Sequence, residues 1–345
     1  MVKKRASLLG VMLRAGKQQR RLLGALVAPS KPPRKKAARP VVKRSPDPGS
    51  WLTLYFSSLT ARMRYCLYLP ASAQPGVALP LLVMLHGCEQ DAASFAAGSR
   101  MNALAEKAGY AVLYPQQSAA AHPQRCWKWY DRATQQGGGD AATIAALVRA
   151  VLLAYPVDRS RIYIAGISAG AAMAHIVALH HPDLFAAVGL HSGPMFGAGH
   201  STIGALGVMQ HGAASRREPA IAELLAGQPG RVAVALPTIV IHGADDAVVR
   251  PINQMQLAEQ ALHVNGGGVQ TETLFEKSAT GRTRAYQVRD VRRGRQVVLR
   301  LVRIAGLQHA WSGGDPSYKF NAAAGPDAGK LMLAFFSRQR LTAGT

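Results

Sequence analysis

The sequence predicts an α/β fold built on a mostly parallel central sheet flanked by helices. Three observations carry that expectation. Strand-like and helix-like segments alternate regularly from residue 51 onward. Pro80–His86 (PLLVMLH) is an unbroken apolar run, the pattern of a strand buried on both faces of a parallel sheet. A Gly-Ile-Ser-Ala-Gly stretch, Gly166 to Gly170, stands between a strand pattern and a helix pattern.

Taken in order, Trp51–Ser58 and Arg62–Pro70 are rich in Tyr, Leu and Thr and read as an antiparallel pair. Ser99–Gly109 has helical spacing (Met101, Leu104, Ala105, Ala108) and a glycine stop. Tyr110–Tyr114 is a short strand ended by Pro115. Asp140 starts a long helix to about Tyr155, with Ile144, Leu147, Val148, Val151 and Leu152 on its apolar face. Arg161–Ala165 is a strand, and Ala169–His180 a helix stopped near Pro182. Phe185–Leu190 and Pro237–Ile241 are strands, and Ile252–Val264 is a helix. Tyr286–Asp290 and Gln296–Ile304 are strands around the Arg293–Gly294 turn, and Ala328–Arg338 is the last helix. Residues 192–235 are Gly-rich and weakly patterned, and are expected to form a cap or a long loop over a site.

The chain has 345 residues and a formal net charge of +23, which at first sight suggests a polyanionic partner. The distribution of charge changes that reading. Residues 1–50 carry 14 Lys or Arg against the single acid Asp47, a surplus of +13, which leaves +10 for the other 295 residues. Pro29, Pro32, Pro33, Pro40, Pro46 and Pro48 punctuate this head, and large apolar residues are scarce from 29 to 48. Such a stretch cannot bury enough surface to offset the entropy of ordering it. Two parts are therefore expected: residues 1–50 as a basic, disordered head and linker, and residues 51–340 as the functional domain. Residues 7–28 could form a basic amphipathic helix, giving residues 1–48 an anionic surface or polymer granule as partner. Nothing in the body calls for nucleic acid. No apolar run reaches the roughly 18–20 residues of a membrane-spanning helix. The patches Leu8–Leu13 and Leu22–Ala28 lack the continuous core and cleavage site of a secretory signal, which favours a cytoplasmic location.

Ligands of parallel α/β sheets bind beyond the carboxyl ends of the strands, so reactive residues that follow strands are the candidates. Ser168 follows the strand RIYIA and opens the helix AAMAHIVALH. A strand-to-helix elbow holds a serine hydroxyl out at the sheet edge, and flanking glycines let neighbouring backbone pass closely. A serine needs a base to act as nucleophile at neutral pH. In elbows of this kind an acid and then a histidine follow along the chain. Asp245 and Asp246 both follow the strand Thr238–His242, and Asp246, just before Val248 and Val249, fits the orienting role better. Of 11 histidines only His263 and His309 lie after Asp246. His263 sits within a helix, whereas His309 lies on a late loop before Ser312-Gly313-Gly314. The expected relay is Ser168, His309 and Asp246. Two N–H donors should face the oxyanion of an intermediate: Ala169, after the serine, and Cys88, after the strand PLLVML.

Together these motifs resemble a known family. The segments are residues 85–117 (from LHGCEQD to LYPQQ), CWKWY (126–130), GGGDAATI (137–144), GISAGAAMA (166–174), HSG (191–193), IHGADDAVV (241–249) and HAWSGG (309–314). They look like the polyhydroxybutyrate (PHB) depolymerase-type esterases, α/β-hydrolases related to feruloyl and acetylxylan esterases. The resemblance spans about residues 52–338. It implies the α/β-hydrolase fold and hydrolysis of carboxylic esters through an acyl-enzyme, with no metal and no cofactor. The expected substrates are small or oligomeric esters such as short hydroxyalkanoates, with feruloyl or acetylxylan esters as the alternative. Cleavage of peptides and a purely polyanion-binding role are weaker rivals. The resemblance also supports Asp246 over Asp245. Trp127, Trp129 and Trp311 are expected to wall the substrate pocket, because aromatic rings in loops are costly to expose unless they line an apolar cleft. Cys88 and Cys126 both fall in motif loops, and a disulfide between them would pin the oxyanion loop to the aromatic loop. Cys66 is expected to be a buried apolar residue.

Overall fold

A computed structural model describes residues 48–59, 61–213, 217–227, 235–266 and 270–341. Residues 1–47 of the basic head, including the stretch expected to form an amphipathic helix, lie outside the described residues.

Ten strands form one sheet in the order β1-β2-β4-β3-β5-β6-β7-β10-β9-β8. Its parallel centre consists of β4 (Ala111–Gln116), β3 (Leu79–Leu85), β5 (Val157–Ile167), β6 (Ala187–His191), β7 (Thr238–Gly243) and β10 (Gln296–Ile304). Antiparallel strands extend both edges: β1 (Ser50–Ser57) and β2 (Arg62–Leu69) on one side, β9 (Tyr286–Arg293) and β8 (Gln270–Lys277) on the other. A separate two-stranded pair joins β11 (Trp311–Ser312) to β12 (Asn321–Ala322).

The helices are α1 (Ala92–Ser99), α2 (Met101–Ala108), α3 (Arg132–Gln135), α4 (Gly139–Ala154), α5 (Ala169–His180), α6 (Thr202–His211), α7 (Arg217–Ala226), α8 (Ile252–Val264) and α9 (Ala328–Phe336). The helix expected over Ser99–Gly109 is present as α2, ended by a left-handed Gly109, and a helix not expected from the sequence, α1, precedes it. Arg100 takes a left-handed conformation (φ 55°) and separates the two, and the earlier helix starts at a capping box between Asp91 and Ser94. Its sequence, AASFAAGS, is too rich in small residues to show a periodic stripe. Residues 192–235 are likewise not one long loop. They contain α6, capped by Ser201, and α7. The stretch before and after α6 is tied to α8 by buried amides: Asn253 accepts from the Met195 N–H, Gln260 from Phe196 and Gln256 from Ala213.

The apolar runs of the central strands account for the core. Leu81 to Leu85 of β3 are fully buried, as are Tyr163 to Ile167 of β5 apart from a trace of exposure at Ile167. The ring of Phe336 stacks on Tyr163 at 4.9 Å, so the last helix seals the sheet near its middle. Every residue of α5 from Ala169 to Leu179 is buried. A helix apolar on all sides belongs inside a domain, and its many alanines let it lie close to β5.

The elbow between β5 and α5 depends on two glycines. A Cβ on Gly166 would stand 2.4 Å from the Gly170 carbonyl carbon and oxygen, and one on Gly170 would stand 2.2 Å from the Leu85 carbonyl oxygen. Both distances are far inside van der Waals contact, and the obstructing atoms are backbone. Gly170→Ala is therefore expected to cost more than about 3 kcal/mol through overpacking and backbone displacement. Urea unfolding of the variant against the parent checks this, and equal midpoints would contradict it.

Candidate active site

Ser168 sits at the tip of the elbow with φ 56° and ψ −125°, a region that residues with side chains rarely enter. The strain is held by what surrounds it. Its N–H donates to the His191 carbonyl (2.9 Å), and its own carbonyl accepts from Ala171 and Ala172 as the helix begins. The side chain is thereby turned outward from the sheet edge.

His309 stands over it. Its Nε2 lies 3.0 Å from Ser168 Oγ and its Nδ1 lies 2.8 Å from Asp246 Oδ2. A carboxylate only accepts, so Nδ1 carries the proton and Nε2 presents a lone pair to the serine hydroxyl. Asp246 is 2% exposed, while its neighbour Asp245 is exposed. The Val248 and Val249 N–H groups, each at 2.9 Å, donate to Asp246 Oδ1. Burial works against the Asp246 carboxylate. His309, His242 and the Val249 N–H outweigh it and hold the carboxyl below its usual value.

The loops that carry the acid and the histidine are knitted together. Ala244 N–H donates to the Ile304 carbonyl and Asp245 N–H to the Leu307 carbonyl. A Cβ on Gly243 would stand 2.2 Å from that Leu307 oxygen, so the approach requires glycine. The three side chains predicted from the sequence, 141 residues apart at the extremes, thus form one hydrogen-bonded chain.

Of the predicted oxyanion donors, Ala169 follows Ser168 directly, and Cys88 lies on the loop after β3, whose Leu85 and His86 carbonyls approach Gly170. Gly87 N–H is taken by Gln90 Oε1 and Glu89 N–H by the Gln124 carbonyl. Among the described residues, no hydrogen bond uses the Cys88 or Ala169 N–H. Cys88 and Cys126 form a disulfide across 38 positions, a closure that stabilises by about 4 kcal/mol in the chain-entropy account. Cys66 is buried and free.

The three tryptophans do not form an open wall. Trp127 and Trp311 are 0% exposed and Trp129 is 4%. Trp127 Nε1–H donates to the His86 carbonyl (3.0 Å), bracing the loop before Cys88. Trp129 packs edge-on against Tyr130, and Trp311 stacks on His191 at 5.0 Å and meets Phe95 edge-on. The large apolar area of these rings is used to pack loops together beneath the surface. The feature that sequence reasoning missed is Phe320, a half-buried ring 6.5 Å from the His309 imidazole.

Three more histidines are buried around the site in neutral form. His86 accepts the Gln117 N–H on Nε2 and donates from Nδ1 to the Gly87 carbonyl. His191 accepts the Ser312 N–H on Nε2, which leaves Nδ1–H to donate to Ser192 Oγ. His242 Nε2–H donates to the Val249 carbonyl at 2.7 Å. Among the described residues no group of three or more His, Cys, Asp or Glu suits a metal ion, and no helix is long and apolar enough to cross a membrane.

A mostly parallel sheet, a serine elbow after its fifth strand and a histidine–aspartate pair on later loops define an α/β-hydrolase. An acetyl xylan esterase from Aspergillus awamori superposes on 84% of this chain and 99% of its own with a TM-score of 0.66 at 20% identity. An S-formylglutathione hydrolase from Agrobacterium tumefaciens covers 84% of this chain and 95% of its own at TM-score 0.53 and 18% identity. The chain belongs to the family described as esterase PHB depolymerase, whose model matches residues 63–290. A poly(3-hydroxyalkanoate) depolymerase C of Paucimonas lemoignei is 33% identical over 54% of this chain and 45% of its own. A probable acetylxylan esterase A of Neosartorya fischeri is 28% identical over 66% of this chain and 62% of its own. The chain thus spans about half to three-fifths of the length of these relatives.

Burial holds His86 and His175 down to about 4; burial, and after it His242 and His309, hold His191 down to about 3. In the unfolded chain each would take a proton near 6.5. Between those values the unfolded state binds more protons, so stability falls as pH drops below 6.5 and goes on falling to about 4. The lowered Asp246 adds a loss only below 3.8. Denaturant unfolding at pH near 7.5 and near 5 is expected to differ by several kcal/mol, with the lower pH less stable; a flat response would contradict the neutral burial of these rings.

Proposed function

We propose that residues 51–340 form a catalytic domain that hydrolyses carboxylic esters through an acyl-enzyme. The observation that carries this reading is the chain Ser168 Oγ to His309 Nε2 (3.0 Å) and His309 Nδ1 to Asp246 Oδ2 (2.8 Å). Ser168 Oγ attacks the ester carbonyl while His309 Nε2 takes its proton. The carbonyl electrons move onto oxygen, where the Cys88 and Ala169 N–H groups receive the charge. The C–O bond breaks as His309 returns the proton to the leaving alcohol. Water then attacks the acyl-serine by the same relay and releases the acid. Asp246 holds the Nδ1–H tautomer and stabilises the imidazolium.

Ser168→Ala is expected to lower kcat for a nitrophenyl ester by several powers of ten. Equal turnover by parent and variant would refute the assignment. The substrates proposed are short hydroxyalkanoate oligomers, in keeping with the relative named a poly(3-hydroxyalkanoate) depolymerase. Acetylated or feruloylated sugars are the alternative, because relatives named acetylxylan esterase A and feruloyl esterase B match at 28–31% identity. A panel of hydroxybutyrate oligomers, acetylxylan and methyl ferulate, ranked by kcat/KM, separates the two.

The Cys88–Cys126 disulfide supports an oxidising compartment, against the cytoplasmic location suggested by the two N-terminal patches. The +13 surplus of residues 1–50 fits attachment to an anionic surface or polymer granule, which added salt should release. If the disulfide fixes the Cys88 donor, Cys126→Ser should lower kcat about tenfold or more and leave KM nearly unchanged, because an oxyanion forms only in the transition state. A change confined to KM would contradict that role.

A further inference from the structure

The ring of Phe320 is a large apolar side chain set beside His309, and its placement is not that of an ordinary loop residue. Its backbone is left-handed, with φ 59°, a conformation that a bulky side chain rarely adopts and that persists only where the surroundings impose it. The surroundings do impose it. The Phe320 carbonyl accepts from the Trp311 N–H (2.7 Å), which pairs the loop with the strand two residues after His309. The carbonyl of Lys319 accepts from Gln90 Nε2 (3.2 Å) and from Asn321 Nδ2 (2.9 Å). Gln90 is 3% exposed, and its Oε1 accepts the Gly87 N–H at the start of the oxyanion loop. One buried amide therefore couples the Phe320 loop to the loop that carries Cys88, and the Lys319–Glu89 ion pair (2.9 Å) ties them again at the surface.

What this framework presents is an aromatic ring only half covered by protein, meeting the His309 imidazole at 6.5 Å and 70°. His309 Nε2 delivers the proton to the leaving oxygen of an ester, so the alcohol part must emerge next to that imidazole. From this geometry we infer that Phe320 is the specificity-determining wall of the alcohol side of the site, and that it favours esters whose alcohol is aromatic or otherwise broad and apolar. The inference rests on the Ser168–His309–Asp246 reading. A ring held in place in advance loses little freedom when a flat group stacks on it, and such aromatic contacts are worth several-fold to about tenfold in selectivity.

The test is the ratio of kcat/KM for naphthyl acetate to that for ethyl acetate. Both esters pass through the same acetyl-enzyme, so the ratio reports the alcohol alone. Phe320→Asn, which tolerates a left-handed backbone, is expected to lower the ratio about tenfold. Phe320→Tyr, which keeps the ring, is expected to hold it within about threefold of the parent. A second series, naphthyl acetate against naphthyl butyrate, varies the acyl group and is expected to keep its ratio in Phe320→Asn. The proposal is overturned if Phe320→Asn lowers both acetates equally, since the residue would then only support the loop. It is also overturned if the acyl series moves instead of the alcohol series. Ser168→Ala is run alongside. Turnover surviving there would overturn the relay and this proposal together, whereas an unchanged ratio with Ser168→Ala inactive would overturn this proposal alone.

Discussion

The approach of α5 to the end of β3 constrains everything at the site. A Cβ on Gly170 would fall 2.2 Å from the Leu85 carbonyl oxygen, and one on Gly166 would fall 2.4 Å from Gly170 itself. Without side chains at these two positions the chain can turn from strand to helix in the space of Ser168. That turn fixes Ser168 at φ 56° and sends its hydroxyl out of the sheet edge. The same closeness brings the loop after β3 alongside the first turn of α5, where helix N–H groups have no partner within the helix. The disulfide from Cys88 to Cys126 and the Trp127 bond to the His86 carbonyl hold that loop.

The other half of the site is held by hydrogen bonds that desolvation makes unforgiving. Asp246 is buried with both oxygens engaged, Oδ1 by the Val248 and Val249 amides and Oδ2 by His309. Behind it, His242 and His191 are buried: His242 Nε2–H donates to the Val249 carbonyl, and His191 Nε2 accepts the Ser312 N–H, which only a neutral imidazole can do. Burial disfavours a proton on either ring, and at His242 it outweighs the attraction of the Asp246 carboxylate 3.6 Å away. The negative charge of Asp246 is thus opposed mainly by His309, the imidazole with the most access to the cleft. This division of labour among three imidazoles and one carboxylate rests on burial, not on residue type.

Much of this was legible in the amino-acid order. Ser168 announced itself by the glycines around it between a β-branched strand and an alanine helix. Asp246 and His309 followed from their position after later strands, and Cys88 and Cys126 from the loops they occupy. The central strands were legible because burial on both faces leaves an unbroken apolar run. Less legible were α1 and α6, whose alanines and glycines erase any stripe, and β8, an edge strand whose residues are mostly exposed and do not alternate. The tryptophans misled for a physical reason. An aromatic loop can serve a cleft or a buried joint equally well, and composition does not say which side of the ring faces water.

The sequence by itself determined the central strands and most of the helices, their alternation, the elbow and the order of serine, acid and histidine, because each is a local or near-local property of spacing and residue type. Only the tertiary structure decided that His309 reaches Ser168 across 141 positions, that Trp127 and Trp311 lie sealed while Phe320 stands half open, and that a single buried amide, Gln90, joins the Phe320 loop to the oxyanion loop. Those outcomes depend on which surfaces remain after distant segments have packed. Exposure is a property of the assembled chain, and no window of sequence contains it.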